Sequence, residues 1–217
     1  YFVTNYLNSI YPPKSKKIYI HHDIYDTPLV AKKFEKKIYL SLSKINYIFI
    51  SSKIAEKIFI EGFKKFKIKK IPKLIISGYL KLAYLESLNL VKKSKFSKIK
   101  SVVIAPTQYK SFRNLSLLNN LNFILKKLLD NNFKVILRPH PLNRDDKNLL
   151  SFKKKYSNHK NFLYDKSSNY IHSYLNSSFM ITDISGTAYT YAFLTFRPVL
   201  FFSSPRKEKF IKKYFNK

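Results

Sequence analysis

Short apolar runs alternate along the chain with segments of helical spacing, and this alternation is the feature that most limits the possible folds. The runs are rich in β-branched and aromatic residues, which is typical of strands buried on both faces. The clearest helical segment is an apolar stripe over 117–129 that ends at Asp130. The runs occupy residues 17–20, 47–50, 74–76, 102–105, 135–137, 179–181 and 199–202.

This pattern predicts an α/β protein with parallel sheets, because parallel strands are joined by right-handed crossovers that cover the sheet with helices. A basic, serine-containing interval over 91–100 has little apolar content and predicts a linker. We therefore expect one lobe over 1–97 and a second over 98–217, with the boundary near Lys98. The chain begins at Tyr1 and ends in a charged stretch, so we expect it to be part of a longer protein.

The chain is strongly basic, with 42 Lys and Arg against 12 Asp and Glu and a formal net charge of +30. Such a field favours anionic partners, including nucleic acid, phospholipid headgroups and phosphate-bearing substrates. A coding sequence rich in A and T enriches Lys, Ile, Asn, Phe and Tyr in the same way. The charge alone therefore does not assign a partner.

Several classes of site are not indicated by the sequence. There is no cysteine, so we expect no disulfide and no thiolate metal site, and a reducing compartment such as the cytosol. The longest apolar region, 179–202, contains Asp183, Arg197 and Pro198, whereas a membrane-spanning helix needs about 20 nearly uninterrupted apolar residues. The acidic residues form no recognisable ligand cluster, so we expect no metal and no cofactor.

Two histidines follow the first apolar run, within His21-His22-Asp23. Ligands of open parallel sheets bind at the carboxyl ends of the strands, so this position suits a catalytic group. An imidazole with an unperturbed pKa of about 6.5 accepts a proton from a hydroxyl near neutral pH. Asp23 or Asp26 is available to orient it. A pair of loop histidines without a catalytic role is the alternative.

A second polar segment, Arg138-Pro139-His140-Pro141, follows the run 135–137. The prolines restrict the backbone around His140, and Arg138 offers a planar guanidinium suited to phosphate. This combination predicts a phosphate-binding group at the end of a strand. The alternative is a turn stiffened by proline.

A third segment, 182–187, follows the run 179–181 and precedes a predicted helix over 188–194. Ser185 is placed as a helix cap, and Gly186 and Thr187 follow it, so the backbone N–H groups there would favour an anion. Thr107 follows the run 102–105 and faces the same crevice if the sheet is parallel. Together these segments predict a nucleotide-phosphate site, with simple helix capping as the alternative for 182–187.

The order of these motifs resembles that of the CDP-glycerol glycerophosphotransferase family. The resemblance covers roughly residues 17–202 and depends on several segments in the family's order. These are Tyr19-Ile20-His21-His22, Thr27-Pro28-Leu29, Ser77-Gly78-Tyr79, Ala105-Pro106-Thr107, Arg138-Pro139-His140-Pro141, 181–187 and Arg197-Pro198-Val199.

The resemblance implies a GT-B-like fold of two Rossmann-like lobes with the active site between them, the N-lobe being incomplete in this chain. It implies a donor lobe over 98–217 and an acceptor lobe before it. It also implies a reaction in which an acceptor hydroxyl attacks the β-phosphorus of CDP-glycerol and CMP is released. The partners would be a CDP-activated alcohol and a polymer or lipid-linked acceptor in teichoic-acid-like synthesis.

By the same resemblance His22 is the base, and His140 and Arg138 steady the diphosphate. Ser185, Gly186 and Thr187 would hold phosphate oxygens, while Thr107 and Asp183 complete the substrate-binding set and Asp183 shapes its loop. This sequence departs from the family where Asp23 follows His22 in place of Gly, and where Gly186 follows Ser185 in place of a second serine. The donor could therefore carry glycerol, ribitol, a sugar or another alcohol phosphate.

Two other functions remain open at this point. A GT-B glycosyltransferase or nucleotide-sugar epimerase would use the same nucleotide-binding segments. A basic nucleic-acid or membrane-binding module would explain the charge but would leave the ordered motifs unexplained. We expect no specific nucleic acid partner, and a cytoplasmic protein in peripheral contact with the anionic inner face of the cell membrane.

Overall fold

The computed structural model describes residues 2–3, 12, 14–20, 36–91, 100–108, 116–203 and 208. The chain divides into two compact units, Tyr1–Leu88 and Asn89–Lys217. The boundary expected near Lys98 falls within 92–99, outside the described residues.

The first unit contains a sheet of four parallel strands in the order β1-β2-β3-β4. The order of the strands follows their order along the chain, as expected for consecutive strand–helix–strand crossovers in one direction. The elements are β1 (Phe2–Val3), β2 (Ile18–Ile20), α1 (Lys36–Leu42), β3 (Tyr47–Ile50), α2 (Lys53–Lys65), β4 (Lys73–Ile76) and α3 (Leu80–Ser87).

Close packing between α1 and α2 depends on Gly62. A Cβ at position 62 would lie 2.1 Å from the ring of Tyr39, so only a glycine accommodates the tyrosine there. The Tyr39 ring also packs edge-on against Phe63, with 5.0 Å between ring centroids. Tyr39, Phe59, Phe63, Tyr19 and Ile48 are buried together and form most of this core.

The second unit contains five parallel strands in the order β7-β6-β5-β8-β9. Its strands are β5 (Ser101–Ala105), β6 (Lys134–Leu137), β7 (Phe162–Tyr164), β8 (Phe179–Thr182) and β9 (Val199–Phe201). Its helices are α4 (Leu121–Asp130), α5 (Lys147–Tyr156), α6 (Ile171–Leu175) and α7 (Thr187–Thr195), with 3₁₀ turns at Leu117–Asn120 and Pro141–Asn143.

The predicted α/β class with parallel sheets is confirmed, and each of the seven apolar runs contains a strand. The structure adds two strands that the pattern did not predict, β1 and β7. The predicted helical stripe over 117–129 begins as a 3₁₀ turn capped by Ser116, whose hydroxyl accepts the Leu118 N–H at 3.3 Å. Leu121, Leu125 and Leu129 then face the core along α4.

Strand order reverses direction at β5, which lies between β6 and β8. The chain moves from β5 to β6 and β7 on one side, then returns to β8 and β9 on the other. In doubly wound sheets this reversal opens a crevice at the carboxyl ends of the two central strands, where ligands bind.

Candidate functional site

The carboxyl edge of the second sheet collects the polar segments that the sequence singled out in this unit. Thr107 follows β5, Arg138 and His140 follow β6, and the segment 183–187 follows β8. Since β5 pairs with both β6 and β8, the three segments lie on neighbouring strand ends. The Thr182 hydroxyl donates to the Ala105 carbonyl at 2.6 Å, which ties the ends of β8 and β5 together.

Asp183 is a fully buried carboxylate at the reversal point. One oxygen accepts the Thr107 N–H at 2.9 Å, and the other accepts the Leu117 N–H at 3.0 Å. The carboxylate therefore fixes both ends of the segment that connects β5 to α4. Both contacts fit the loop-shaping role that the sequence suggested, and direct contact between Asp183 and substrate stays a prediction.

Arg138 ends β6 with its guanidinium held in a network. The group forms an ion pair with Asp165 and donates to the Ser167 hydroxyl at 3.1 Å and the Ser167 carbonyl at 2.9 Å. The side chain is only 10% exposed. The network fixes the orientation of the guanidinium, and contact between Arg138 and phosphate stays a prediction.

Asp165, which the sequence analysis did not single out, is the centre of this network. It immediately follows β7 and accepts hydrogen bonds from the Ser173 hydroxyl and, at 2.8 Å, from the Ser167 N–H. Burial raises the pKa of Asp165, but hydrogen bonds from Ser167, Ser173 and Arg138 outweigh it and hold the pKa below its ordinary value. The carboxylate is therefore ionised at neutral pH and balances the charge of Arg138.

His140 lies at the N-terminus of the Pro141–Asn143 turn and is partly exposed. Its Nδ1 accepts the Leu142 N–H at 3.2 Å. A ring nitrogen that accepts a hydrogen bond carries no proton, so the neutral ring is protonated on Nε2. In this state His140 is a hydrogen-bond donor through Nε2, which suits contact with a phosphate oxygen better than it suits a general base.

The N-terminus of α7 differs in detail from the predicted cap. Gly186 occupies the N-cap position, and the Ser185 hydroxyl lies 3.5 Å from the Thr187 nitrogen, a long contact. Ser185 was predicted as the cap itself, so that prediction is corrected by one residue. The Ala188 N–H donates to the Ser185 carbonyl at 3.2 Å. Among these groups the Thr187 N–H has the weakest partner and is the best placed to reach an anion.

The Thr187 hydroxyl is oriented by Tyr174, which the sequence analysis did not identify. The two hydroxyls are hydrogen-bonded, and Tyr174 is buried beneath α7. Burial raises the pKa of Tyr174 to about 12, although the bond to Thr187 opposes the shift. Tyr174 therefore stays neutral and can serve as a fixed partner for Thr187 across the physiological range.

The predicted base, His22, lies in 21–35, outside the described residues. Thr107 is buried, and its N–H donates a hydrogen bond to Asp183.

Within the described ranges, no group of three or more His, Cys, Asp or Glu residues is arranged to hold a metal ion. No helix among the described residues is long and apolar enough to cross a bilayer.

We expect Asp183→Asn to destabilise the second unit by about 1–3 kcal/mol, because the new amide would turn an N–H group toward the Thr107 or Leu117 N–H and leave a buried donor unpaired. Urea unfolding measures the change. Asp145→Asn is the matched control, since Asp145 is exposed and pairs with Lys166 at the surface. Equal stability of Asp183→Asn and the parent would contradict the role given to this carboxylate.

We also expect Asp165 to make the second unit sensitive to acid. Because the folded pKa of Asp165 is lowered, its contribution to stability is present above the ordinary value of about 4 and is lost as the pH falls through the folded value. Asp165→Asn should reduce stability at pH 7 and flatten the fall in stability below about pH 4. Denaturant midpoints measured from pH 2 to pH 7 test this, and an unchanged acid slope would count against it.

Comparisons with known proteins support the family suggested by the motifs. Among curated proteins, none matches this chain. The solved structure of the wall teichoic acid polymerase TagF matches with a TM-score of 0.53 and 21% identity, covering 94% of this chain and 52% of that chain. A histidine-to-alanine variant of TagF matches with a TM-score of 0.55 and 19% identity, covering 94% and 53% of the two chains.

These structures establish the fold, which is GT-B-like, with two Rossmann-like units that each contain a parallel sheet. The chain spans about half the length of the two solved chains. The model of the CDP-glycerol:poly(glycerophosphate) glycerophosphotransferase family matches residues 20–213, a range that includes all the polar segments at the carboxyl edge of the second sheet. This chain therefore belongs to the CDP-glycerol:poly(glycerophosphate) glycerophosphotransferase family.

Proposed function

We propose that this protein transfers an alcohol phosphate, with glycerol phosphate as the first candidate, from a CDP-activated donor to an acceptor hydroxyl in teichoic-acid-like polymer synthesis. The observation that carries the proposal is the family match over 20–213, which takes in Thr107, His140 and the segment 183–187 on one sheet edge. The second unit is proposed as the donor lobe and the first as the acceptor lobe.

The proposed reaction exchanges one bond at phosphorus. The acceptor oxygen attacks the β-phosphorus of the donor, the bond from that phosphorus to the bridging oxygen breaks, and CMP leaves with both electrons of that bond. The acceptor proton goes to His22, the proposed base. Negative charge that develops on the leaving phosphate requires donors that are already in place.

The second unit supplies such donors at its carboxyl edge. His140, with Nδ1 fixed by Leu142, offers its Nε2 proton. The N-terminus of α7 offers the Thr187 N–H and the positive end of the helix dipole. The Ser185 and Thr187 hydroxyls add neutral contacts, and Arg138 adds a charge that Asp165 partly balances. The set is suited to binding the diphosphate of the CDP-activated donor and to stabilising the CMP phosphate as CMP leaves.

The proposal predicts acceptor-dependent release of CMP from CDP-glycerol. His22→Ala and His140→Ala should each lower kcat/KM by at least about 100-fold, the usual loss when a proton-transfer group or a charge-stabilising donor is removed. With His22 as base, the rate should also fall as the pH drops below about 6.5. Chromatographic quantification of CMP measures these changes.

His159→Ala is the matched control for His140→Ala. The His159 Nδ1 accepts the Asn161 N–H at 3.2 Å, the same local contact, but it lies before β7 at the opposite edge of the sheet. Its loss should leave CMP release unchanged. Turnover of a nucleotide sugar without turnover of any CDP-alcohol would contradict the proposal and favour a glycosyltransferase.

We also propose that the protein works in the cytoplasm, in peripheral contact with the anionic inner face of the cell membrane. The net charge of +30 supports this, as do the exposed lysines along α2, among them Lys57, Lys64 and Lys65. Each lysine close to an anionic bilayer contributes roughly 1 kcal/mol of attraction.

This second proposal predicts co-sedimentation with vesicles that contain an anionic phospholipid and none with neutral phosphatidylcholine vesicles. Binding should weaken as salt rises from 50 to about 500 mM, because exposed charges are then screened within a few ångströms. Equal binding to neutral vesicles, or binding to anionic vesicles that salt does not weaken, would contradict it.

A further inference from the structure

The short helix α6 links the two sides of the candidate site. It is five residues long and lies between β7 and β8 in the chain. Its residue Ser173 donates a hydrogen bond to Asp165, which pairs with Arg138. The next residue, Tyr174, is hydrogen-bonded to the Thr187 hydroxyl at the start of α7. Two consecutive residues of α6 therefore contact the carboxylate that holds Arg138 and the residue that begins α7.

A helix as short as α6 needs tertiary contacts to hold its side chains in place, because isolated short helices are unstable in water. Arg197, from the last of the sequence motifs, donates from its guanidinium to the Leu175 carbonyl at 2.7 Å and to the Ser177 carbonyl. The Ser177 hydroxyl donates to the Tyr174 carbonyl at 3.0 Å. The Tyr191 ring packs edge-on against the Tyr174 ring, with 5.4 Å between ring centroids. The C-terminal end of α6 is therefore fixed, and so is the Tyr174 ring.

The hydrogen bond between Tyr174 and Thr187 has a preferred direction. Tyr174 is only 3% exposed, and burial raises the pKa of its hydroxyl to about 12, so the hydroxyl keeps its proton. Among the described residues, Thr187 Oγ1 is the one acceptor within reach of that proton. A buried donor without an acceptor costs free energy, whereas Thr187 is partly exposed and can direct its own proton elsewhere. Tyr174 therefore donates, and Thr187 accepts.

This direction makes the Thr187 hydroxyl a hydrogen-bond donor toward a ligand. A hydroxyl has one proton and two lone pairs, and the bond from Tyr174 occupies a lone pair of Thr187 Oγ1. The proton of Thr187 is left to point to the exposed side of the α7 N-terminus. An O–H group whose oxygen already accepts a hydrogen bond is polarised and donates more strongly. A phosphate oxygen, which only accepts hydrogen bonds, is the kind of group that this arrangement suits.

We propose that Tyr174 is a positioning residue for the nucleotide donor: by donating to Thr187, it fixes the Thr187 hydroxyl as a donor to a diphosphate oxygen. The inference rests on the proposed transferase function and deepens it. Tyr174 is buried beneath α7, so it acts on the ligand through Thr187. Arg197 contributes indirectly, because it holds the end of the helix that carries Tyr174.

A double-mutant cycle tests this role. Tyr174→Phe removes one hydrogen bond, so it should raise the KM for CDP-glycerol and the Kd for CDP by roughly twofold to tenfold and leave the acceptor KM unchanged. Thr187→Val should raise both donor constants as well, and adding Tyr174→Phe to it should raise neither further. Thr187→Ser keeps the hydroxyl, so Tyr174→Phe should act in that background as it does in the parent. Steady-state kinetics measures KM, and calorimetry measures the Kd for CDP.

Tyr191→Phe is the matched control for Tyr174→Phe. The Tyr191 hydroxyl is also buried, and it donates to the Ser177 carbonyl at 3.0 Å, on the far side of α6 from Thr187. Its loss should lower stability in urea about as much as Tyr174→Phe does, and it should leave the Kd for CDP unchanged. An equal rise in that Kd in both variants would point to general loosening of the unit and would overturn the positioning role.

The outcomes separate the positioning role from the transferase function. In an active protein, donor constants that Tyr174→Phe leaves unchanged, or raises equally in the Thr187→Val background, would overturn the role and leave the transferase proposal intact. If the parent bound CDP but released no CMP from any CDP-alcohol, the transferase proposal would fail. The Kd values for CDP in the cycle would then decide the role of Tyr174. A parent that bound no CDP would overturn both proposals.

Discussion

The two hydrogen bonds that Asp183 accepts from backbone N–H groups organise the centre of the second unit. β5 and β8 meet where the strand order reverses, and the segment between β5 and α4 must leave and return close to this point. A buried carboxylate that accepts N–H groups from both ends of that segment fixes its closure. Thr107 depends on this arrangement because its own N–H is one of the two groups, and the N-terminus of α7 follows Asp183 by four residues.

Sequence patterns predicted the architecture well because buried parallel strands need continuous apolar runs. They missed β7, because Phe162–Tyr164 follows the polar residues Lys160 and Asn161 and contains no β-branched residue, unlike the predicted runs of the same length. Missing β7 meant missing Asp165, although Asp165 obeys the same rule of a polar residue directly after a strand.

The roles of individual side chains were harder to predict than their location. Sequence placed Arg138, His140 and Ser185 at strand ends, and the structure brings them to one edge. The sequence could not show that Asp165 pairs with Arg138 or that Leu142 fixes the His140 ring. Nor could it show that Gly186 takes the cap position. Each of these contacts spans a few ångströms and is set by tertiary packing. Tyr174 gave no signal at all, as it lies in a five-residue helix.

The pairing of Arg138 with Asp165 changes the electrostatic character of the candidate site. In a chain with a net charge of +30, a phosphate-binding edge would be expected to rely on unpaired cations. Among the described residues of that edge, the buried cation Arg138 is paired with Asp165, and the other donors discussed above are an imidazole, a helix N-terminus and hydroxyls. The described residues of this edge thus offer mainly neutral hydrogen-bond donors held in fixed positions, so an anion there would be recognised by geometry more than by total charge.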